Sequence, residues 1–137
     1  MVLITPFFTI IGSFNGLVCL NEYTPSSTRD VLYLWNPSIG KFIVLPEPRI
    51  TYCDRALGFG FNSTTNDYQV VRIAYVSSGL EVDMYSLKEG CWTRISVCGT
   101  IPCIRFDSSH TSLNGTLHWI SEPGHRFPFI VFFNLGS

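Results

Sequence analysis

The chain has 137 residues and a formal net charge of −1, with 46% hydrophobic, 15% aromatic and 14% charged residues. That is enough for one modest packed domain and too apolar and too weakly charged for a disordered chain. The near-neutral balance offers no field to gather nucleic acid or an anionic membrane surface, so neither is expected as a partner.

The first 20 residues carry no charge, but no Lys or Arg precedes Arg29, so the basic start of a signal peptide is missing. Pro6, Gly12, Ser13, Asn15 and Gly16 interrupt the stretch, which suits strand–turn–strand better than a membrane helix of about 20 apolar residues. Period-2 alternation and turn residues then predict four strands, a to d. These are Thr9 to Phe14, Leu17 to Leu20, Val31 to Trp35 and Lys41 to Leu45. Asn15-Gly16 is the tight a–b turn. Asn36-Pro37 with Gly40 makes the c–d turn, where Gly40 can take a left-handed conformation.

The plan repeats with Leu57 to Phe61, Tyr68 to Tyr75, Glu81 to Tyr85 and Cys91 to Ile95. It starts a third time with His110 to Leu113, Thr116 to Ile120 and Phe129 to Phe133. Asn62-Ser63-Thr64 and Asn114-Gly115-Thr116 fit the glycosylation pattern, but without a secretory signal they read as turn residues. No helix is expected.

Val31–Leu45 and Glu81–Ile95 match without a gap at a spacing of 50 residues. Trp35 falls on Tyr85, Gly40 on Gly90, Phe42 on Trp92 and Leu45 on Ile95, and Phe133-Asn134-Leu135 echoes Trp35-Asn36-Pro37. A period near 50 built of short strands is the mark of a kelch-like β-propeller whose repeat is one blade. The expected fold is therefore all-β: a partial propeller with blade 1 at about 9–46, blade 2 at about 57–96 and an incomplete blade 3 at about 110–135. Ring closure needs at least about four blades. The aligned aromatics are expected in equivalent, largely buried places between sheets.

Several stretches carry a family resemblance. They are Gly12-Ser13-Phe14-Asn15-Gly16-Leu17-Val18-Cys19-Leu20, Leu34-Trp35-Asn36-Pro37-Ser38-Ile39-Gly40-Lys41-Phe42 with Leu45-Pro46, and Leu57-Gly58-Phe59-Gly60-Phe61 with Asp67-Tyr68-Gln69-Val70-Val71-Arg72. Val82-Asp83-Met84-Tyr85-Ser86-Leu87 with Trp92, and Leu113-Asn114-Gly115-Thr116-Leu117-His118-Trp119, follow in order. From about Ile11 onward the chain resembles the F-box-associated domain of plant F-box/kelch-repeat proteins. The resemblance implies a non-catalytic protein-interaction module that recruits the protein substrate of a cullin-type (SCF) ubiquitin ligase, in the cytoplasm or nucleus. It also implies a contact with the Skp adaptor only where an F-box stands upstream. A carbohydrate-acting propeller enzyme or lectin, or a gene-model fragment, is the alternative.

Residue chemistry agrees with a non-enzyme. Glu81 and Asp83 share a strand face, as paired carboxylates of a glycosidase would, but read more simply as two solvated positions. No serine sits in a nucleophile elbow. Five cysteines without a C-x-x-C pair suit reduced thiols rather than zinc or a disulfide framework. His110, His118 and His125 have no helical ligand spacing. No cofactor, metal or catalytic residue is expected.

The loops offer the better candidate. In an antiparallel four-stranded blade the b–c and d–a connections leave by one rim. These segments (residues 21–30, 76–80, 121–128, 46–56 and 96–109) hold Arg29, Arg49, Arg55, Arg105 and Arg126, with Tyr23, Tyr52, Phe106 and Phe127. Arginine and aromatics on loops of a rigid scaffold suit partner recognition. The expected rim is Arg29, Arg49, Tyr52, Arg55, Arg105, Phe106, Arg126 and Phe127.

Overall fold

The computed structural model describes residues 8–23, 30–46, 55–76, 79–95, 105–113, 116–122 and 130–135. Among them there is no helix, and so none long and apolar enough to cross a membrane. The strands are β1 (Phe8–Phe14), β2 (Leu17–Tyr23), β3 (Asp30–Asn36), β4 (Lys41–Val44), β5 (Arg55–Asn62) and β6 (Asp67–Val76). They continue as β7 (Gly79–Ser86), β8 (Cys91–Ile95), β9 (Arg105–Leu113), β10 (Thr116–Glu122) and β11 (Ile130–Asn134). They form three antiparallel sheets, β1-β2-β3-β4, β5-β6-β7-β8 and β11-β10-β9, in sequential order. This is the all-β blade architecture expected.

Local chemistry explains the turns. Asn15 and Gly16 both have positive φ, 50° and 80°, which matches the right-handed twist of a two-residue hairpin. Gly40 and Gly90 occupy the same left-handed place in the two c–d turns, at 64° and 71°. Asn36 fixes the first of these turns by accepting the Ser38 N–H on its side-chain oxygen at 3.2 Å.

Two apolar cores join the sheets. Ile11, Cys19, Leu32, Leu34 and Leu45 of the first sheet pack on Leu57, Phe59, Val70 and Tyr85 of the second. On the second sheet's other face, Val71, Ile73 and Val82 pack with Leu117 and Leu135 of the third. Each large apolar side chain buried this way contributes roughly 1.5–3 kcal/mol. The inner strands β1, β5 and β9 lie against one another, so the sheets radiate from one line as blades do.

The 50-residue repeat is a structural equivalence. Trp35 stands opposite Phe42 across β3 and β4, and Tyr85 stands opposite Trp92 across β7 and β8. Their burial is not equivalent, which corrects the expectation. Tyr85 is 4% exposed, whereas Trp35 and Phe42 are exposed, Phe42 at 61%. The first blade covers the face of the second that carries Tyr85. Trp35 and Phe42 lie on the first blade's far face, which no described element covers. Strand lengths also differ from expectation. β9 begins at Arg105 rather than His110, and β5 at Arg55 rather than Leu57. The expected turn at Asn114-Gly115 lies outside the described residues.

Candidate functional site

The expected rim is only partly visible. Arg29, Arg49, Tyr52, Arg126 and Phe127 lie outside the described residues. Arg55, Arg105 and Phe106, expected in loops, belong to strands. Arg55 opens β5 opposite Ala74, while Arg105 and Phe106 open β9 opposite Glu122 and Ser121. Extended pairing reaches further because Arg55 and Ala56 extend β5 to meet Ala74 and Ile73 of β6, and Glu122 prolongs β10 to meet Arg105. β5 and β9 hold the same place in adjacent blades, and each starts at the end of its sheet away from the a–b turn. The turn ends coincide, because the Asn62 amide donates to the Leu135 carbonyl across the blades. The backbones of Arg55 and Arg105 therefore enter at one common end.

The two arginines left out of the rim, Arg72 and Arg94, build a charged cluster. Arg72, Asp83 and Arg94 are direct cross-strand neighbours on β6, β7 and β8. Arg72 Nη1 lies 3.5 Å from Asp83 Oδ2. Arg94 Nε donates to Asp83 Oδ1 at 3.1 Å, and its two Nη groups donate to the two Glu81 oxygens at 3.1 and 2.9 Å. The hydrogen bond to Asp83, then the charges of Asp83 and Glu81, hold the Arg94 guanidinium still more firmly protonated. Arg72 is 2% exposed and Asp83 6%. Asp83 is therefore not the solvated position expected; cross-strand pairing of opposite charges places it inside. Each carboxylate is engaged by a guanidinium, an arrangement that ties strands rather than freeing an acid–base pair. The signal was present in the sequence, since the blade layout itself sets Arg72, Asp83 and Arg94 side by side.

At the turn end, Asp67 locks two turns together. Its carboxylate accepts the Ser86 hydroxyl and the Lys88 backbone N–H, the latter at 2.9 Å. The Ser86 oxygen accepts the Glu89 N–H at 3.1 Å. Asn62 accepts the N–H groups of Thr64 and Thr65 on its side-chain oxygen. These turns border a groove of about 720 Å³ that runs between the second and third blades.

The far face of the first blade bears a shallow aromatic depression of about 640 Å³, lined by Phe8, Ile10, Leu20, Tyr33, Trp35 and Phe42. Tyr33 donates its hydroxyl to Glu22, and that bond, ahead of burial, pushes its pKa up. Burial pushes the Cys19 thiol up to about 12, while Cys91 is exposed. Neither thiol is bridged.

The sequence model of the F-box associated beta propeller domain matches residues 3–137. An F-box protein of Arabidopsis thaliana is 43% identical over 72 residues, covering 51% of this chain and 16% of the relative. An F-box/kelch-repeat protein of the same plant is 29% identical over 122 residues, covering 82% of the chain and 32% of the relative. The F-box protein CPR1 of Arabidopsis thaliana is 29% identical over 152 aligned positions, covering 92% of the chain and 35% of the relative. The chain thus spans about a third or less of these relatives. No solved structure matches it.

Proposed function

The chain belongs to the F-box associated beta propeller domain family, and on that premise we propose that it is the substrate-recruiting module of an SCF-type ubiquitin ligase. In this reading it binds a protein and performs no chemistry. The observation that carries it is the family match over residues 3–137, together with relatives named as F-box proteins. The blades supply what such a module needs. Two packed cores hold the sheets rigid, so segments leaving one end can present a fixed surface.

That surface is the rim formed by Arg29, Arg49, Tyr52, Arg55, Arg105, Phe106, Arg126 and Phe127. Guanidinium groups bind carboxylate or phosphate in bidentate fashion, so the partner is an acidic or phosphorylated protein. Contact with the Skp adaptor belongs to an F-box and follows only where one stands upstream.

Fusing the chain to the F-box of a relative tests the proposal. Ubiquitinated proteins that depend on the fusion are identified by mass spectrometry, and the measurement is repeated with Arg29, Arg55, Arg105 and Arg126 changed to Glu. The dependent set should vanish in the charge-reversed fusion while Skp binding persists. Recruitment of the same proteins by both fusions overturns the rim assignment. A fusion that engages Skp and recruits nothing overturns the function.

A further inference from the structure

A groove of about 590 Å³ opens between the first and second blades at the turn end, where Leu17, Leu34, Ile39, Lys41, Ile43 and Leu87 line it. Both blades have four strands, and every lining residue lies within residues 17–87. Leu34 belongs to the core shared by the two blades, and Leu17 and Leu87 pack against that core. Ile43 is the cross-strand partner of Leu34, and Lys41 that of Asn36. Paired residues share a face and alternate residues of a strand do too, so Lys41 and Ile43 both lie on the core side of β4. Even so, Ile43 is 45% exposed, and Ile39 in the turn is 63% exposed.

The fold does not require isoleucine at either place. The 50-residue repeat sets Ile39 level with Glu89 and Ile43 level with Thr93, and the two turns share their positive-φ glycines. The second blade thus builds the same turn and strand with a carboxylate and a hydroxyl. Exposed apolar side chains scattered singly need no explanation, but these two converge on one groove. Between them in the chain stands Lys41, the only charged residue among those lining it. Among the described residues Lys41 has no ion-pair partner. The Asn36 side-chain oxygen already accepts the Ser38 N–H, so what Asn36 offers an occupant is its amide N–H groups. The apolar floor is therefore bordered by a cation and a donor.

We propose that this groove docks a partner protein through a bulky apolar side chain that has a carboxylate beside it. The apolar side chain seats on Leu34 and Leu87 between Ile39 and Ile43, as an interface anchor fills a pocket. The carboxylate meets the Lys41 ammonium and the Asn36 amide. Burial of apolar surface supplies the affinity. Charge supplies the selection, because Lys41 attracts an acidic segment and repels a basic one. The alkyl stem of Lys41 can follow the isoleucines while its ammonium stays at the surface. This site lies at the turn end, opposite the arginine rim, so it stands or falls independently of the rim.

The probe is a phage library of random dodecamer peptides selected on the immobilised chain. Peptides that set a large apolar residue next to Asp or Glu should be enriched at least tenfold over the starting library. A fluorescein-labelled copy of the most enriched peptide then reports affinity by anisotropy. Ile39→Glu with Ile43→Thr, the second blade's own residues at those places, should weaken binding at least tenfold without lowering the melting temperature. Lys41→Glu should weaken it at least fivefold, and selection on that variant should return basic residues in place of acidic ones. No enrichment, enrichment of peptides without a carboxylate, or binding that survives either variant overturns the proposal. A lower melting temperature for the isoleucine variant also overturns it, by making those residues part of the packing. So does sedimentation velocity in which the same variant turns a dimer into a monomer, since the groove then belongs to a second copy of the chain.

Discussion

The indole Nε1 of Trp92 donates to the backbone carbonyl of Pro46 at 2.7 Å, tying the outer strand of the second blade to the chain two residues past the first blade's fourth strand. The same indole packs at the edge of the core that joins the two blades and lies 5.5 Å from the Tyr85 ring.

Trp92 should therefore act through both a hydrogen bond and packing. Trp92→Phe is expected to cost about 1 kcal/mol, the net value of one hydrogen bond. Trp92→Ala should cost about 3 kcal/mol, near the low end for aromatic truncation because the side chain is only half-buried. Urea denaturation of the three proteins checks both values, and equal stabilities would show that the contact ties nothing.

Asp83 and Glu81 sit on one strand face but should differ sharply when neutralised. Asp83→Asn weakens the ion pair of a guanidinium that is 2% exposed and should cost about 3 kcal/mol, as broken buried pairs do. Glu81→Gln faces exposed Arg94 and should leave stability nearly unchanged. Replacing the buried pair together, Arg72→Met with Asp83→Leu, should recover much of the loss. Thermal melts of the four proteins decide the order.

Cys19 predicts an alkaline loss of stability. Its thiol has an ordinary value of 9.0 and is pushed up to about 12 by burial in the folded chain. A group whose pKa rises on folding contributes fully below its unfolded pKa, and that contribution is lost as pH climbs toward the folded pKa. Between pH 9 and 12 the folded state thus holds one proton that the unfolded state releases. The chain should lose stability there by about 1.4 kcal/mol per pH unit more than Cys19→Ala does. Parallel pH profiles of the two proteins would remove Cys19 from the account.

The far face of the first blade should make the isolated chain self-associate at micromolar concentration. Ile10 and Phe42 are 68% and 61% exposed, and Phe8, Trp35 and Val44 join them. An apolar patch of this kind favours association. Ile10→Lys with Phe42→Lys should raise the monomer fraction in sedimentation velocity without lowering the melting temperature. A wild-type chain that stays monomeric would show that the patch remains hydrated.

Much of the fold was legible because its causes are short-range. Asn15-Gly16 had to turn tightly, Gly40 and Gly90 had to carry positive φ, and period-2 alternation marked the strands between them. The 50-residue repeat also set Trp35 level with Tyr85 and Phe42 level with Trp92, and the structure pairs them alike across β3–β4 and β7–β8. What the sequence could not determine is which side of a sheet is covered. Tyr85 and Trp35 share a register, yet one is buried and the other open, because among the described residues only the first of them faces another blade. The same holds for Asp83. Its spacing from Glu81 was plain in the chain, but its burial between Arg72 and Arg94 exists only once three strands pair and a neighbouring sheet closes over them. Alternation along one strand records which residues share a face, and only packing between sheets decides what that face meets.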